Sequence, residues 1–265
     1  MKNLKKLVKR VPPFKKLISQ KAQLQKEKDE LQVIIQNIKD PRILLASKYI
    51  SGSGIEIGPT YCPVKLPPEA KVSYVDHVGT EELRIRYPEL KDQDLVEITI
   101  IDDGETLKTI KNNSLNFIIA NHFLEHCQNP IGTILRMYEL LKKDGIIYLA
   151  LPDKRYTFDS KRPITSYAYL KKLNSSKKYQ ESVKESRYIE AVKLIIGLRK
   201  PKEIKEKTKE LMDMGYSIHY QVWEQKDMIE LFEGIPKDYH VNLRIQAMAR
   251  NEHEVIFILE KYSKP

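Results

Sequence analysis

Residues 115–126 read Leu-Asn-Phe-Ile-Ile-Ala-Asn-His-Phe-Leu-Glu-His, and the fold turns on how that stretch is taken. Leu115 to Ala120 is a short, nearly unbroken apolar run, which fits a strand buried on both faces of a sheet. Asn121 to His126 then falls at the mouth of that strand, the end at which parallel sheets place their ligands.

The surroundings repeat the same unit. Upstream, Gly54-Ile55-Glu56-Ile57-Gly58 reads as a short strand running into a glycine turn, and Val72 to Asp76 as a strand with an acidic end. Thr80 to Tyr87 is predicted helical, and Leu95 to Ile101 a strand ending in Asp102-Asp103-Gly104. Downstream, Pro130 to Lys143 forms an amphipathic helix stopped by Asp144-Gly145, and Ile146 to Leu151 a buried strand closed by Pro152. Short apolar strands alternating with helices predict a parallel α/β sheet. Residues 153 to about 212 break that rhythm: they are rich in Lys and Tyr and mostly helical in pattern, so they read as an inserted subdomain. Glu224 to Phe232 is a helix, and Val241–Ala249 and Val255–Glu260 are strands joined through Asn251-Glu252 as an antiparallel pair.

The N-terminal region has a different texture. Residues 1–11 alternate apolar and basic side chains at helical spacing until Pro12-Pro13 breaks the pattern. Such a basic amphipathic helix is a candidate for peripheral contact with an anionic membrane surface. From Phe14 to Ile38 a second helix carries Leu17, Leu24, Leu31 and Ile38 spaced by sevens. The second seam position is poor, with Lys21 and Lys28 before Ile35, so residues 14–38 offer an imperfect coiled coil for a homodimer. Asp40-Pro41 ends this appendage.

The chain has 265 residues, long enough for one sizeable core with an appendage. Its net charge of +10 is unevenly spread: residues 1–40 hold +7 and 161–210 hold +9, while the rest is at −6. A uniformly basic nucleic-acid-binding domain is thereby disfavoured, and local contacts with anionic groups, or simply solvated helix faces, are favoured. Two cysteines, Cys62 and Cys127, make neither a disulfide framework nor a cysteine zinc site, so the expected compartment is the cytoplasm, with peripheral membrane attachment through residues 1–11. No run of residues approaches the apolar length of a membrane-spanning helix.

Three groups carry chemistry. Gly52-x-Gly54-x-Glu56-x-Gly58 on a strand-to-turn junction, followed by Asp76 about 20 residues on, suits a nucleotide-like ligand: glycines let the backbone approach and the acid accepts ribose hydroxyls. The pattern fits NAD as well as S-adenosylmethionine, and Asp76 also reads as a turn or cap aspartate. Asp102-Asp103 after the third strand can accept from an adenine amino group or cap a helix. Asn121 to His126 is the third group.

Taken together, GIEIG, YVD, IIDD, FIIANHFLEH and LLKKDGIIYLALPD, in that order between Gly54 and Asp153, resemble the class I S-adenosylmethionine-dependent methyltransferases, in particular the type 11 group found with polysaccharide-building enzymes. The terminal antiparallel pair matches that family's sheet. The opening departs from the common acidic-x-Gly-x-Gly-x-Gly form, because Gly58 is followed by Pro59-Thr60-Tyr61. The resemblance implies S-adenosyl-L-methionine as cofactor, with Gly54, Glu56 and Gly58 on its methionine and ribose side, Asp76 on ribose, Asp102 or Asp103 facing adenine, and Asn121 and His122 close to the sulfonium. His122-x-x-Glu125-His126 also spells a zinc-peptidase pattern. A zinc site needs those side chains on one helix face with a third ligand further along, whereas here they directly follow a buried strand, so no metal is expected.

The acceptor side is read from the insertion. Asp153, Arg155 and Tyr156 follow the fifth strand and, with Trp223, are expected to bind substrate. An ordinary interdomain linker with internal salt bridges is the alternative. His219 is the candidate general base, because neutral imidazole accepts a hydroxyl proton near pH 7, and His122 is a second catalytic candidate. The expected architecture is a doubly wound, mostly parallel seven-stranded Rossmann-like sheet. Residues 1–41 form the helical appendage, 42–152 the cofactor-binding core, 153–222 the helical insertion, and 223–265 complete the core. The expected activity is methyl transfer to a small polar or glycan-like acceptor, at a sugar hydroxyl. Two alternatives stand beside it. One is a nucleic-acid methyltransferase, against which the sequence lacks an Asn-Pro-Pro-Tyr/Phe motif; the other is a non-catalytic protein acting through its N-terminal helix.

Overall fold

The computed structural model describes residues 14–263. The basic stretch 1–11 lies outside them. Helix α1 (Phe14–Lys39) covers the predicted heptad segment, and its Leu24 and Leu31 are 65% and 58% exposed. Helix α2 (Pro41–Tyr49) starts at a cap in which the Asp40 carboxylate accepts from the Arg42 N–H at 2.8 Å, with proline at the first helical position. The break between the two helices falls at Asp40.

Seven strands follow: β1 (Ser53–Ile57), β2 (Lys71–Asp76), β3 (Ile100–Ile101), β4 (Leu115–Asn121), β5 (Leu141–Pro152), β6 (Leu243–Asn251) and β7 (Glu254–Lys261). Their order across the sheet is 3-2-1-4-5-7-6, with β3 to β5 parallel and β7 antiparallel to both β5 and β6. This is the doubly wound, mostly parallel seven-stranded, Rossmann-like sheet that the sequence predicts. The last strand in the chain therefore inserts between β5 and β6.

Side chains alternate across β4, and both sets are buried. Ile118 and Ala120 face one layer with Ile147, Leu149 and Phe257, under α4 (Pro130–Leu140), α5 (Tyr167–Ser175) and α8 (Gln225–Tyr239). Phe117 and Ile119 face the other with Tyr148, Ala150 and Ile258, under Ala46 and Ile50 of the α2 region and Val64. A strand buried on both faces needs the unbroken apolar run that identified it.

Two crossovers on the way to the sheet's ligand edge hold no helix. Residues 58–70 carry Pro59, Pro63, Pro67 and Pro68, which exclude a regular helix, and residues 102–114 form turns. Between them lies α3 (Thr80–Arg86).

Three elements differ from the sequence reading. Only Ile100 and Ile101 of the expected Leu95–Ile101 strand join the sheet, because Leu95 and Ile98 turn inward to a small cluster with Val78, Leu83 and Leu90. Helix α4 stops at Leu140, and Asp144, at φ +60°, turns the chain before the main body of β5. Helix α8 runs past Phe232 to Tyr239 with Pro236 inside its last turns, anchored at its start by a reciprocal Glu224–Asp227 capping box.

The insertion is helical: α5, α6 (Lys177–Ala191), a π-helical turn (Val192–Ile196) and α7 (Pro201–Asp213). It has its own small core of Tyr188, Val192, Ile204, Leu211 and Tyr220. Asp153 and Trp223 pair as an isolated parallel bridge where the insertion leaves and rejoins the sheet. Among the described residues, no helix is long and apolar enough to cross a membrane.

Candidate active site

A cavity of about 410 Å³ opens at the carboxyl ends of β1 to β4. Gly58, just past β1, has φ +61°, and nothing lies within 4 Å of where a Cβ would sit. Its N–H donates to the Val75 carbonyl at 2.9 Å, so the turn lays bare backbone along the cavity wall. Gly54 does a different job: a Cβ there would come 2.2 Å from the Phe117 carbonyl, so it permits the close approach of β1 and β4 rather than lining the cavity.

The acidic candidates separate by position. Asp76, at the end of β2, lines the cavity, with its Oδ1 accepting from the His77 N–H at 2.7 Å and lying 2.6 Å from His77 Nδ1. Of the Asp102–Asp103 pair, Asp103 lines the cavity. Asp102 is spent on its own loop, where it accepts from the Asp103 N–H and from both N–H and hydroxyl of Thr109 at 2.7 Å. Glu56 is buried beneath the proline-rich loop and accepts from the Val64 N–H at 3.1 Å, and burial pushes its pKa up to about 7. It holds that loop down from behind and is not part of the cavity lining.

Beyond β4 the chain turns sharply. His122 has φ +48° and lies between two buried carboxylates: Nε2 is 2.7 Å from Glu254 Oε2, and Nδ1 is 3.5 Å from Glu125 Oε1. Burial opposes the imidazolium, but the two carboxylates outweigh it and raise the pKa to about 9. Glu254 in turn receives Arg42 in a two-pronged pair at 2.7 and 2.5 Å and Asn251 at 2.7 Å; against its burial, these partners hold it well below the usual carboxylate range. His122 is thus a fixed cation with both nitrogens facing carboxylates, an arrangement suited to electrostatics rather than to taking a proton. The Asn121 side chain amide is buried with no hydrogen-bond partner among the described residues.

A second cavity, of about 450 Å³, adjoins the first. Its walls are the insertion's Phe158, Ala191, Ile195, Ile196, Leu211 and Met214, with Lys207 and Glu210, and His126, Ser217 and His219 line it as well. His126 and Ser217 line both cavities, so the two meet there. His219 Nδ1 lies 2.6 Å from Asp159 Oδ2, and Asp159 Oδ1 accepts from Arg162 Nη1 at 2.8 Å. Arg162 is wholly buried and also donates to Glu190 at 2.7 Å. Burial would raise Asp159, but His219 and Arg162 outweigh it and hold the carboxyl below its ordinary value.

The other expected substrate residues line neither cavity. Asp153 and Arg155 satisfy each other at 2.6–3.2 Å, Tyr156 stacks under Arg250 with its ring 4.1 Å away, and Trp223 is buried in the main core. Sequence reasoning missed His77 and Ser217 on the walls and Asp159 behind His219. Asp159 lay in view within the segment after β5, but nothing in the sequence shows its contact with His219, since chain spacing carries no record of it.

A family model described as a methyltransferase domain matches residues 59–233. Among solved structures, an S-adenosylmethionine-dependent methyltransferase of Methanosarcina mazei aligns over 82% of this chain and 96% of its own, at 14% identity and a TM-score of 0.44. Another S-adenosylmethionine-dependent methyltransferase, from Thermotoga maritima, aligns over 88% and 95%, at 13% identity and a TM-score of 0.41. No curated protein sequence matches the chain.

Proposed function

Because the chain belongs to the methyltransferase domain family, and is an S-adenosylmethionine-dependent methyltransferase, we propose that its acceptor is a hydroxyl, of a sugar or glycan-like molecule, entering from the second cavity. The first cavity fits the cofactor on its own features: exposed backbone at Gly58 for close approach, Asp76 for ribose hydroxyls, Asp103 beside them, and Ile57, Leu83, Leu90 and Phe123 as apolar wall. When bound, the cofactor supplies a methyl group on a positively charged sulfur, which takes the electron pair as the new oxygen–carbon bond forms.

The residues of this chain then have to align the acceptor and remove one proton. The observation that carries the reading is the meeting of the two cavities at His126 and Ser217, with His219 beside them and oriented by Asp159. A carboxylate accepts only, so Asp159 fixes the proton on Nδ1 of His219 and leaves Nε2 as the acceptor of the hydroxyl proton. Asp159, itself held by Arg162, then offsets the charge on the imidazolium. The apolar walls of the second cavity favour an acceptor whose sugar is attached to an apolar portion.

The test is calorimetry with S-adenosylhomocysteine, then turnover with a panel of hydroxyl-bearing acceptors, glycosides with and without an apolar aglycone, in the presence of a chelator. Micromolar cofactor binding with turnover of the apolar glycosides supports the reading. Cofactor binding with methylation of amines or nucleic acid only would overturn the acceptor class.

A further inference from the structure

We propose that Glu125, His126 and His219 form a binding site for one divalent transition-metal cation, of the Zn²⁺, Co²⁺ or Mn²⁺ class. One ligand atom from each of the three lies within 4.8 Å of the other two. A carboxylate and two imidazoles suit that class of ion, and side-chain adjustments of about 1 Å would bring the set to the ~2.0–2.2 Å bonds zinc makes.

Glu125 itself points to a missing partner. Its side chain is fully buried, and neither carboxylate oxygen receives a hydrogen bond among the described residues. Its nearest partner, His122 Nδ1 at 3.5 Å, balances charge at a distance too long for a good hydrogen bond. A buried carboxylate left in that condition is costly unless something coordinates it.

The two histidines are preset as ligands. His126 Nδ1 lies 3.0 Å from the Ile218 carbonyl, and His219 Nδ1 lies 2.6 Å from Asp159. The carbonyl and the carboxylate can only accept, which puts the proton of each ring on Nδ1 and leaves Nε2 unprotonated; the Ser217 hydroxyl, 2.9 Å from His126 Nδ1, then accepts from that same N–H. Metal-bound histidines show this arrangement, with the outer N–H given to a carbonyl or a carboxylate. His126 lines both cavities, so an ion has a way in.

The ligand set is not the His122-x-x-Glu125-His126 run of the sequence. His122 is committed to Glu254, and a second cluster, His122, His253 and Glu254, has its carboxylate already filled by Arg42, His122 and Asn251. The third ligand comes instead from His219, where the insertion re-enters the core. Binding does not depend on the acceptor reading, but it draws on the same Nε2 of His219, so cation and acceptor proton compete for one lone pair.

The experiment titrates the full chain, stripped with a chelator, with Co²⁺ followed by visible absorption and with Zn²⁺ followed by calorimetry. One equivalent is expected, with a tetrahedral or five-coordinate cobalt spectrum. Glu125→Gln and His219→Gln should each weaken Kd by about tenfold or more, while His253→Ala leaves it unchanged. S-adenosylhomocysteine affinity, measured on the same samples, reports that each variant is folded, and His219→Gln provides the readout should the buried Glu125→Gln fold poorly. Absence of stoichiometric binding, or binding that survives both substitutions in folded protein, would overturn the site. Cofactor binding and chelator-treated turnover report separately on the function proposed above.

Discussion

Asp159 Oδ2 and His219 Nδ1 meet at 2.6 Å across 60 residues of chain, and His219 lines the second cavity, which adjoins the first. A positioned imidazole with a fixed tautomer is worth about 10²–10⁴ in rate where one proton must leave. His219→Gln is therefore expected to lower kcat by about 10²-fold or more with cofactor affinity unchanged. Asp159→Asn should lower kcat while keeping the cavity and the cofactor affinity. Turnover at the wild-type rate in His219→Gln would remove the base from this histidine.

The two aspartates after β2 and β3 should respond in different currencies of measurement. Asp76→Ala is expected to weaken S-adenosylhomocysteine binding more than tenfold, about 1.4 kcal/mol. Asp102→Asn, which disturbs bonds to Thr109 rather than the cavity, should cost roughly 1 kcal/mol of stability and little affinity. Near-native binding by Asp76→Ala would mean the ribose lies elsewhere.

His122 predicts a pH dependence of stability. Its pKa rises from 6.5 to about 9 on folding, so its contribution is fully present below about pH 6.5 and is lost as pH climbs through 9. Glu56, raised by burial from 4.5 to about 7, has the same sign at lower pH: its contribution is lost as pH rises between those values, and it has finished titrating by about pH 8. Between pH 8 and 9.5 the Tm should therefore fall by roughly 2–4 °C through His122, on the order of 1 kcal/mol once solvent screening of a ring one-third exposed is allowed for. Thermal melts of His122→Gln should show a flatter line over that interval; an equal slope would show that the ion pair is not what titrates.

Helix α1 leaves Leu24 and Leu31, one heptad apart, in solvent. If a second copy covers that stripe, light scattering at micromolar concentration should give a dimer, and Leu24→Lys with Leu31→Lys should give a monomer with unchanged cofactor affinity. A wild-type monomer at 100 times the assay concentration would dispose of the coiled coil.

What could be read from the sequence was what one strand or one turn encodes by itself. The apolar runs at 115–120 and 146–151, the acid at Asp76 and the glycine at Gly58 state their positions locally, because burial on both faces and a left-handed turn each leave a mark in residue type. The Asp102–Asp103 ambiguity is of another kind: both residues suit the spot, and only the path of residues 102–109 decides that Asp103 looks into the cavity. Arg155 reads as a substrate-binding cation, yet it closes on Asp153 two residues away. Contacts such as His122 with Glu254, 132 residues apart, have no local signature at all. The short β3 shows the limit from the other side, since the same apolar residues that suggested a strand, Leu95 and Ile98, found a neighbouring helix to cover them.

The insertion of β7 between β5 and β6 has a consequence for the order in which the molecule can assemble on the ribosome. Glu254, at the start of β7, is the residue that gathers Arg42 from α2 and His122 from the β4 turn. Until that strand emerges and slots into its gap, β5 has an open edge, β6 has no neighbour in the sheet, and a cationic imidazole has lost its nearest counterion. The arrangement of Arg42, Glu254 and His122 can therefore form only after the last strand has been synthesised and has closed the sheet.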